Sequence, residues 1–220
     1  VSKATGVPLA KLATKVMLGR SLTSLGFDRE RVPVHVSVKE AVLPFDRFPD
    51  VDTLLGPEMK STGEVMGIDL QFGPAYAKAQ LGAGQRLPTS GTVFISVKDN
   101  DKSGVLPVAA QFNAIGFKIM ATQGTACLLT ANNIPNDIVK KVSIGRPHVV
   151  DAIKNGEVQL VINTGSGETP RQDGYMIRRA AIKFGIPYAT TLAGASAICR
   201  GIAALKECRY RVQALQDYHS

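Results

Sequence analysis

The chain has 220 residues, 45% hydrophobic and 20% charged, which is enough for one large or two small domains that each bury a core. Its net charge of +8 favours anionic partners, but the basic residues are scattered, tryptophan is absent and no basic tract is interleaved with aromatics. A nucleic-acid partner is therefore set aside in favour of a small anion, and no run approaches the roughly 18 apolar residues of a membrane helix.

The chain opens with Val1-Ser-Lys-Ala-Thr-Gly6, without methionine or a secretory leader, which suggests a piece of something longer. Pro8 followed by Leu9, Leu12, Ala13, Val16 and Met17 at helical spacing predicts an amphipathic helix ended by Gly19. Val32, Val34, Val36 and Val38 alternate with Pro33, His35 and Ser37 and predict a strand with His35 on its polar face. His35 has no second ligand-type residue at useful spacing, so a metal role is not expected. Leu43 to Pro49 reads as a proline-bounded loop with apolar anchors, Leu55 to Gly67 as a turn-rich stretch leading into a short strand, and Pro74 as the start of a helix through Leu81. These elements are not expected to close a domain alone, because they lack a sheet of their own. Leu81 to Gly91, rich in glycine, proline and polar residues, has linker composition and places a boundary near residue 88.

From residue 89 strand and helix alternate. Thr92–Val97, Phe117–Ala121, Ile138–Val142, Leu160–Ile162 and Ile186–Ala189 read as strands. Helical spacing recurs at Val105–Phe112, Ala126–Leu129, Val149–Ile153, Ile177–Phe184 and Leu192–Leu205, with Arg178, Arg179 and Lys183 assigned to faces other than the apolar one. Five βα units predict a parallel sheet covered by helices on both faces, with the tail from Cys208 to Ser220 as an edge element or a loose end. The three cysteines, Cys127, Cys199 and Cys208, are too irregularly spaced for a zinc site or a disulfide framework and are expected as reduced, mostly buried thiols of a cytoplasmic protein.

In such a sheet the loops after the strands meet at one edge. Lys98 to Lys102 follows the first strand, Thr122-Gln-Gly-Thr125 opens a helix after the second, Lys140 and Lys141 come near the third, and Asn163-Thr-Gly-Ser-Gly167 follows the fourth. Ammonium groups, hydroxyls, an amide and helix N-terminal N–H groups suit a phosphate and ribose, and Asp173 suits a base or sugar. Taken singly, Thr122 or Thr125 could simply cap a helix, the lysines could be solvated and the glycines could only permit a turn; their convergence points to an anion site. No serine, histidine and aspartate set, carboxylate pair, Walker motif or dinucleotide fingerprint occurs, so the site reads as built to bind.

Val1 to Lys11, Ser37-Val-Lys-Glu-Ala-Val-Leu-Pro-Phe45, Leu54-Leu-Gly-Pro-Glu-Met-Lys-Ser-Thr-Gly-Glu-Val-Met-Gly67, Gly145-Arg-Pro-His148 and Asn163-Thr-Gly-Ser-Gly167 carry a family resemblance. Over essentially the whole chain these stretches resemble the carboxyl-terminal portion of carbamoyl-phosphate synthase large subunits. The resemblance implies an α/β fold: a methylglyoxal-synthase-like five-stranded parallel sheet over residues 89–220, preceded in residues 1–88 by an incomplete ATP-grasp carboxyl-terminal segment and linker. It implies a parent ATP-dependent ligase that makes carbamoyl phosphate from glutamine or ammonia, bicarbonate and ATP with Mg²⁺ or Mn²⁺, for arginine and pyrimidine synthesis. The ATP and metal carboxylates would precede Val1, so this stretch is expected to hold no cofactor and no catalytic residue.

The resemblance further implies a nucleotide effector such as UMP or IMP at Lys102, Thr122, Thr125, Lys141, Asn163 and Thr164, with Val142, Val149, Asp173 and Ile177 toward the base. Gly165 stands where the family can carry a threonine hydroxyl. The implied ornithine positions are Glu40, Leu43, Leu55 and Thr190, with Ala189 where the family can have an aspartate. Implied partners are the rest of the large subunit and a glutaminase small subunit. The alternatives are a free-standing methylglyoxal-synthase-like lyase, opposed by the absence of catalytic aspartates in Asn163–Gly167, and an association module using the loop from Leu43 to Leu55.

Overall fold

The computed structural model describes residues 1–43, 45, 60–165, 168–207 and 211–219, with the backbone alone for 168–171. Strands β3 (Thr92–Val97), β4 (Lys118–Thr122), β5 (Asp137–Val139), β6 (Leu160–Thr164) and β7 (Tyr188–Ala189) form a parallel sheet in the order β5-β4-β3-β6-β7. The chain therefore builds outward from β3 to one edge and then returns to its other side. β3 and β6 are the neighbours at that reversal, with Ser96 opposite Asn163 and Val97 opposite Thr164. A parallel sheet of this kind opens a crevice beyond the carboxyl ends of the strands at such a switch.

The strand sequences are apolar because both faces are covered. Val93, Ile95, Leu160 and Ile162 point into one core with Val105 and Phe112 of α4 (Lys102–Ala114), Leu129 of α5 (Gln123–Ala131) and Ile198 and Ile202 of α8 (Leu192–Lys206). Phe94 and Val161 point the other way, against Val149 and Ile153 of α6 (Val149–Lys154) and Ile177 and Ala181 of α7 (Glu168–Lys183). All five residues of β6 are buried, and full burial of each aliphatic side chain contributes about 1.5–3 kcal/mol as an upper estimate. The five expected strands and their covering helices are all present, with ends shifted by a few residues.

The first part differs more. The alternation predicted a strand from Val32, whereas the strand β1 is Val36–Val42, and Val32 and Val34 are 77% and 88% exposed. His35 is buried, not on a polar face: its Nε2 faces the Ala4 carbonyl at 2.6 Å and must donate to it, and its ring meets Tyr218 and His219 edge-on. A long-range hydrogen bond thus overrides the local period, and β1 starts after it. β1 pairs antiparallel with β2 (Gly63–Asp69). Across this hairpin lies α3 (Phe72–Gly82), which packs in turn on α8, and there a Cβ at Gly201 would stand 2.9 Å from Tyr76 and 3.1 Å from Leu87. The sheet that residues 1–88 were expected to lack is this hairpin, completed by a helix from the second part.

Helices α1 (Ser2–Thr5) and α2 (Leu9–Met17) precede it, and α2 buries none of its residues. Cys199 is buried, but Cys127 is exposed on α5, contrary to the expectation of buried thiols; a nine-residue helix covering one sheet face leaves its outer side to solvent. Cys208 lies outside the described residues. The described part of the tail, residues 211–219, is neither a sheet edge nor loose: a 3₁₀ turn at Leu215–Tyr218 brings the Tyr218 hydroxyl to the Ile68 carbonyl at 3.2 Å and His219 Nε2 to the Lys3 carbonyl at 2.7 Å.

Candidate functional site

At the carboxyl ends of β3 and β6 a cavity of about 250 Å³ is lined by Ser96, Lys98, Asp99, Thr122, Lys141, Asn163, Thr164, Gly165, Asp173, Gly174 and Ile177, with Val97 between them. Each strand end delivers polar side chains here: β3 carries Ser96 near its end and is followed by Lys98, and β6 ends in Asn163-Thr164. Thr122 stands at the position before α5 where a side-chain cap is normal, yet it makes no cap bond; its hydroxyl meets Ser96 Oγ at 3.1 Å. Thr125 Oγ1 accepts from the Val97 amide at 3.4 Å, and Thr164 Oγ1 from the Lys98 amide at 3.2 Å. The buried threonines thus knit the strand ends together, and the amides at the N-terminus of α5 remain free of side-chain caps, as an anion site requires.

Two of the cations, Lys98 and Lys102, lie beside carboxylates. Lys102 Nζ lies 2.7 Å from Asp99 Oδ1, and Lys98 Nζ 3.9 Å from Asp101. The hydrogen bond from Lys102, with Lys102 and Lys141 as neighbouring charges, holds the Asp99 carboxyl below its ordinary range. Opposite them, Asp173 Oδ2 accepts from Ser143 Oγ at 2.7 Å. An incoming anion would replace Asp99 as the partner of Lys102 and would not need bare cations brought together.

Of the residues singled out from sequence, Thr122, Lys141, Asn163, Thr164, Asp173 and Ile177 line this cavity. Lys102 stands beside it, 3.6 Å from where a Gly124 Cβ would be, and Thr125 braces it from behind. Val142 packs against the core around Phe94 and Val161 and Val149 is fully buried within it, so Val149 presents no surface to a ligand. Ser166 and Gly167 lie outside the described residues. Lys98 and Asp99 line the cavity from the Lys98–Lys102 loop, and Gly165 from the loop after β6. Ser96 and Val97, hidden inside a strand, and Gly174, inside a helix, escaped the sequence reading. Arg178, which was assigned to an outward face, is 1% exposed and donates through Nη1 to Asn163 Oδ1 at 3.3 Å. A glycine one turn earlier on the same helix was the available signal.

A second cleft lies between the hairpin and the large sheet. About 190 Å³ is lined by Glu40, Leu43, Tyr76, Gln80, Tyr188 and Ile198 among others. Burial pushes the Glu40 carboxyl up, partly offset by its hydrogen bond with Gln80, and burial with the Glu40 charge pushes the Tyr76 phenol up to about 12. A larger adjoining space of about 660 Å³ shares Val42, Leu43 and Tyr188 but offers no buried charge among its described lining residues. The smaller cleft is thus the one of the two whose described lining holds a half-buried carboxyl. Thr190 follows β7 and is partly buried, outside the set lining this cleft, while Leu55 lies outside the described residues. Among the described residues no three histidine, cysteine, aspartate or glutamate side chains are placed to hold a metal, and no helix is long and apolar enough to cross a membrane.

Comparison with known proteins now adds to this geometry. A family model described as an MGS-like domain matches residues 104–190. The carbamoyl phosphate synthase large chain of Nostoc sp. is 54% identical over 218 residues, covering 99% of this chain and 20% of that relative. The large chain of Archaeoglobus fulgidus is 54% identical over 220 residues, again 20% of its length. The protein described as the large chain, C-terminal section, of Methanopyrus kandleri is 50% identical over 225 residues, covering all of this chain and 42% of the relative. The chain thus spans about a fifth of the longer relatives.

Proposed function

On the premise that the chain belongs, as a carboxyl-terminal section with an MGS-like domain, to the carbamoyl phosphate synthase large-chain family, we propose that it is the allosteric portion of such an enzyme. A nucleotide such as UMP or IMP binds the cavity at the β3–β6 switch, and an ornithine-type cation binds near Glu40. In this reading residues 1–88 are the end of the ATP-grasp unit being regulated and residues 89–220 the effector-binding domain. The rest of the large subunit and the glutaminase subunit supply the ATP, the Mg²⁺ or Mn²⁺, and the ammonia chemistry. The observation that carries the nucleotide site is the convergence of Lys98, Lys141, Thr122, Asn163 and Thr164 on one cavity beside an uncapped helix N-terminus. Its described lining sets two ammonium groups, Lys98 and Lys141, beside the hydroxyls of Ser96, Thr122 and Thr164 and the Asn163 amide, the donors that an oxyanion takes.

Ornithine, as a cation with two amino groups, matches the half-buried Glu40 carboxylate, whose desolvation a bound ammonium would relieve. Effector binding would bias the synthetase unit with a reciprocal coupling of roughly 1–3 kcal/mol. Titration calorimetry of the chain should show UMP or IMP binding, weakened about tenfold or more by Lys141→Ala, since a charge-assisted hydrogen bond contributes about 1.5–3 kcal/mol. Absence of heat at millimolar nucleotide sinks the effector reading. The chain alone should not turn over ATP with bicarbonate and ammonia, and sustained phosphate release would contradict the assignment of catalysis to the parent's other segments.

A further inference from the structure

We propose that Arg178 is the positioning residue of the anion cavity: it holds the Asn163 amide with its N–H side toward the ligand, so that the site accepts an oxyanion. This rests on the reading of the cavity as a phosphate site. Arg178 is the largest fully buried side chain of the chain's described part, 1% exposed, and it meets the cavity through Asn163, which lines it. Burying a guanidinium is costly unless its donors are used. Its Nη1 donates to Asn163 Oδ1 at 3.3 Å, and Asn163, 6% exposed, lines the cavity at the end of β6.

The orientation of an asparagine amide is set by its partners, because its oxygen and nitrogen ends are nearly the same shape. Arg178 can only donate, so it selects the flip that keeps Oδ1 down and Nδ2 away from it. Nδ2 then points toward the Ser96 carbonyl at 3.5 Å, the outer limit of a hydrogen bond, and a ligand oxygen offers a better acceptor. Gly174 shows that the pairing is built in. A Cβ there would come 2.8 Å from Arg178 Nη1 and 3.0 Å from Asn163 Oδ1, so a side chain at that position in α7 would separate them. Without Arg178 the amide loses its preferred flip, and its oxygen can face the cavity and oppose an oxyanion.

The test is calorimetric titration of the 220-residue chain with inorganic phosphate, UMP and uridine, in the wild type, R178M, R178K, N163L and the N163L-containing double variants. R178M should weaken phosphate and UMP about tenfold or more while leaving uridine within about twofold, and R178K should lie between. In the N163L background the same Arg178 substitutions should cost less than about twofold, because the amide they misorient is gone. Should R178M not fold, the R178K cycle carries the same comparison. An undiminished loss in the N163L background, an equal loss for uridine, or wild-type affinity in both folded Arg178 variants overturns the proposal. Phosphate binding without UMP binding leaves the role of Arg178 standing and removes the nucleotide reading, whereas a wild type that binds neither removes both.

Discussion

At the scale of single residues, burial decides what each charged group is for. Asp99 is exposed and has its carboxyl pulled below the ordinary range by Lys102, so it is a counter-ion that an anionic ligand can displace. Glu40 is the opposite case, a carboxyl raised by burial in the second cleft. The sign of its effect on stability follows from linkage. With the folded value above the unfolded one, the folded protein binds more protons between the two, and stability falls as pH rises through that window. Glu40 therefore carries a penalty that is complete above its folded pKa and absent below the ordinary glutamate value. Glu40→Gln should raise the melting temperature at pH 8 and converge with the wild type as pH falls below the ordinary carboxylate range. Thermal scans of the two proteins across pH check this, and a difference that grows toward acid would reverse the assignment. Glu40→Gln should also abolish any ornithine-induced stabilisation, because the amide offers no charge for an ammonium.

At the scale of elements, glycines set how closely the pieces approach. A Cβ at Gly67 of β2 would collide with the Ala75 carbonyl and come within 2.5 Å of the Ala79 amide, so β2 and α3 meet backbone to backbone. Gly67→Ala cannot be absorbed by rotating a side chain, and overpacking of this kind costs about 3 kcal/mol or more. Chemical denaturation should show that loss; a change under about 0.5 kcal/mol would mean the hairpin can lift off α3. Such contacts explain what was legible in sequence and what was not. Each strand of the large sheet is a short apolar run followed by a helical period, so β4, β5 and β6 and the loops that follow them could be read locally, and with them Thr122, Lys141 and Asn163. The hairpin could not, because its start is set by His35 reaching Ala4 across 31 positions. Arg178 was misread for a similar reason. Helical periodicity assigns an arginine to the outside, and only the bare Gly174 one turn earlier on α7, together with Asn163 from the neighbouring strand β6, makes a buried place for it.

At the scale of the whole molecule, two of the connections that the described residues make between residues 1–88 and the second part are built differently. One is the packed α3–α8 contact, where Gly73 meets the Arg200 carbonyl and Gly201 meets Tyr76, with Arg200 stacked 4.2 Å over the Phe72 ring. The other is the tail, which is polar. Tyr218 donates to the Ile68 carbonyl and receives from Lys78 at 3.4 Å, Lys78 pairs with Asp69 at 2.8 Å, and His219 reaches Lys3. Close packing has few alternative arrangements, whereas individual hydrogen bonds worth about 1 kcal/mol open locally. Removing residues 211–220 should therefore speed amide exchange at residues 2–9 and around His35, and leave β3 and β6 protected. On the proposed effector reading, UMP affinity should stay within about twofold of the intact chain, because the tail's described contacts are with the first part and not with the cavity at the β3–β6 switch. Hydrogen-exchange mass spectrometry with a parallel titration reads both. Unchanged exchange at residues 2–9 would show that α1 is held by its own contacts, and weakened UMP binding would place the tail on the route between effector and regulated unit, leaving α3–α8 as no more than its support.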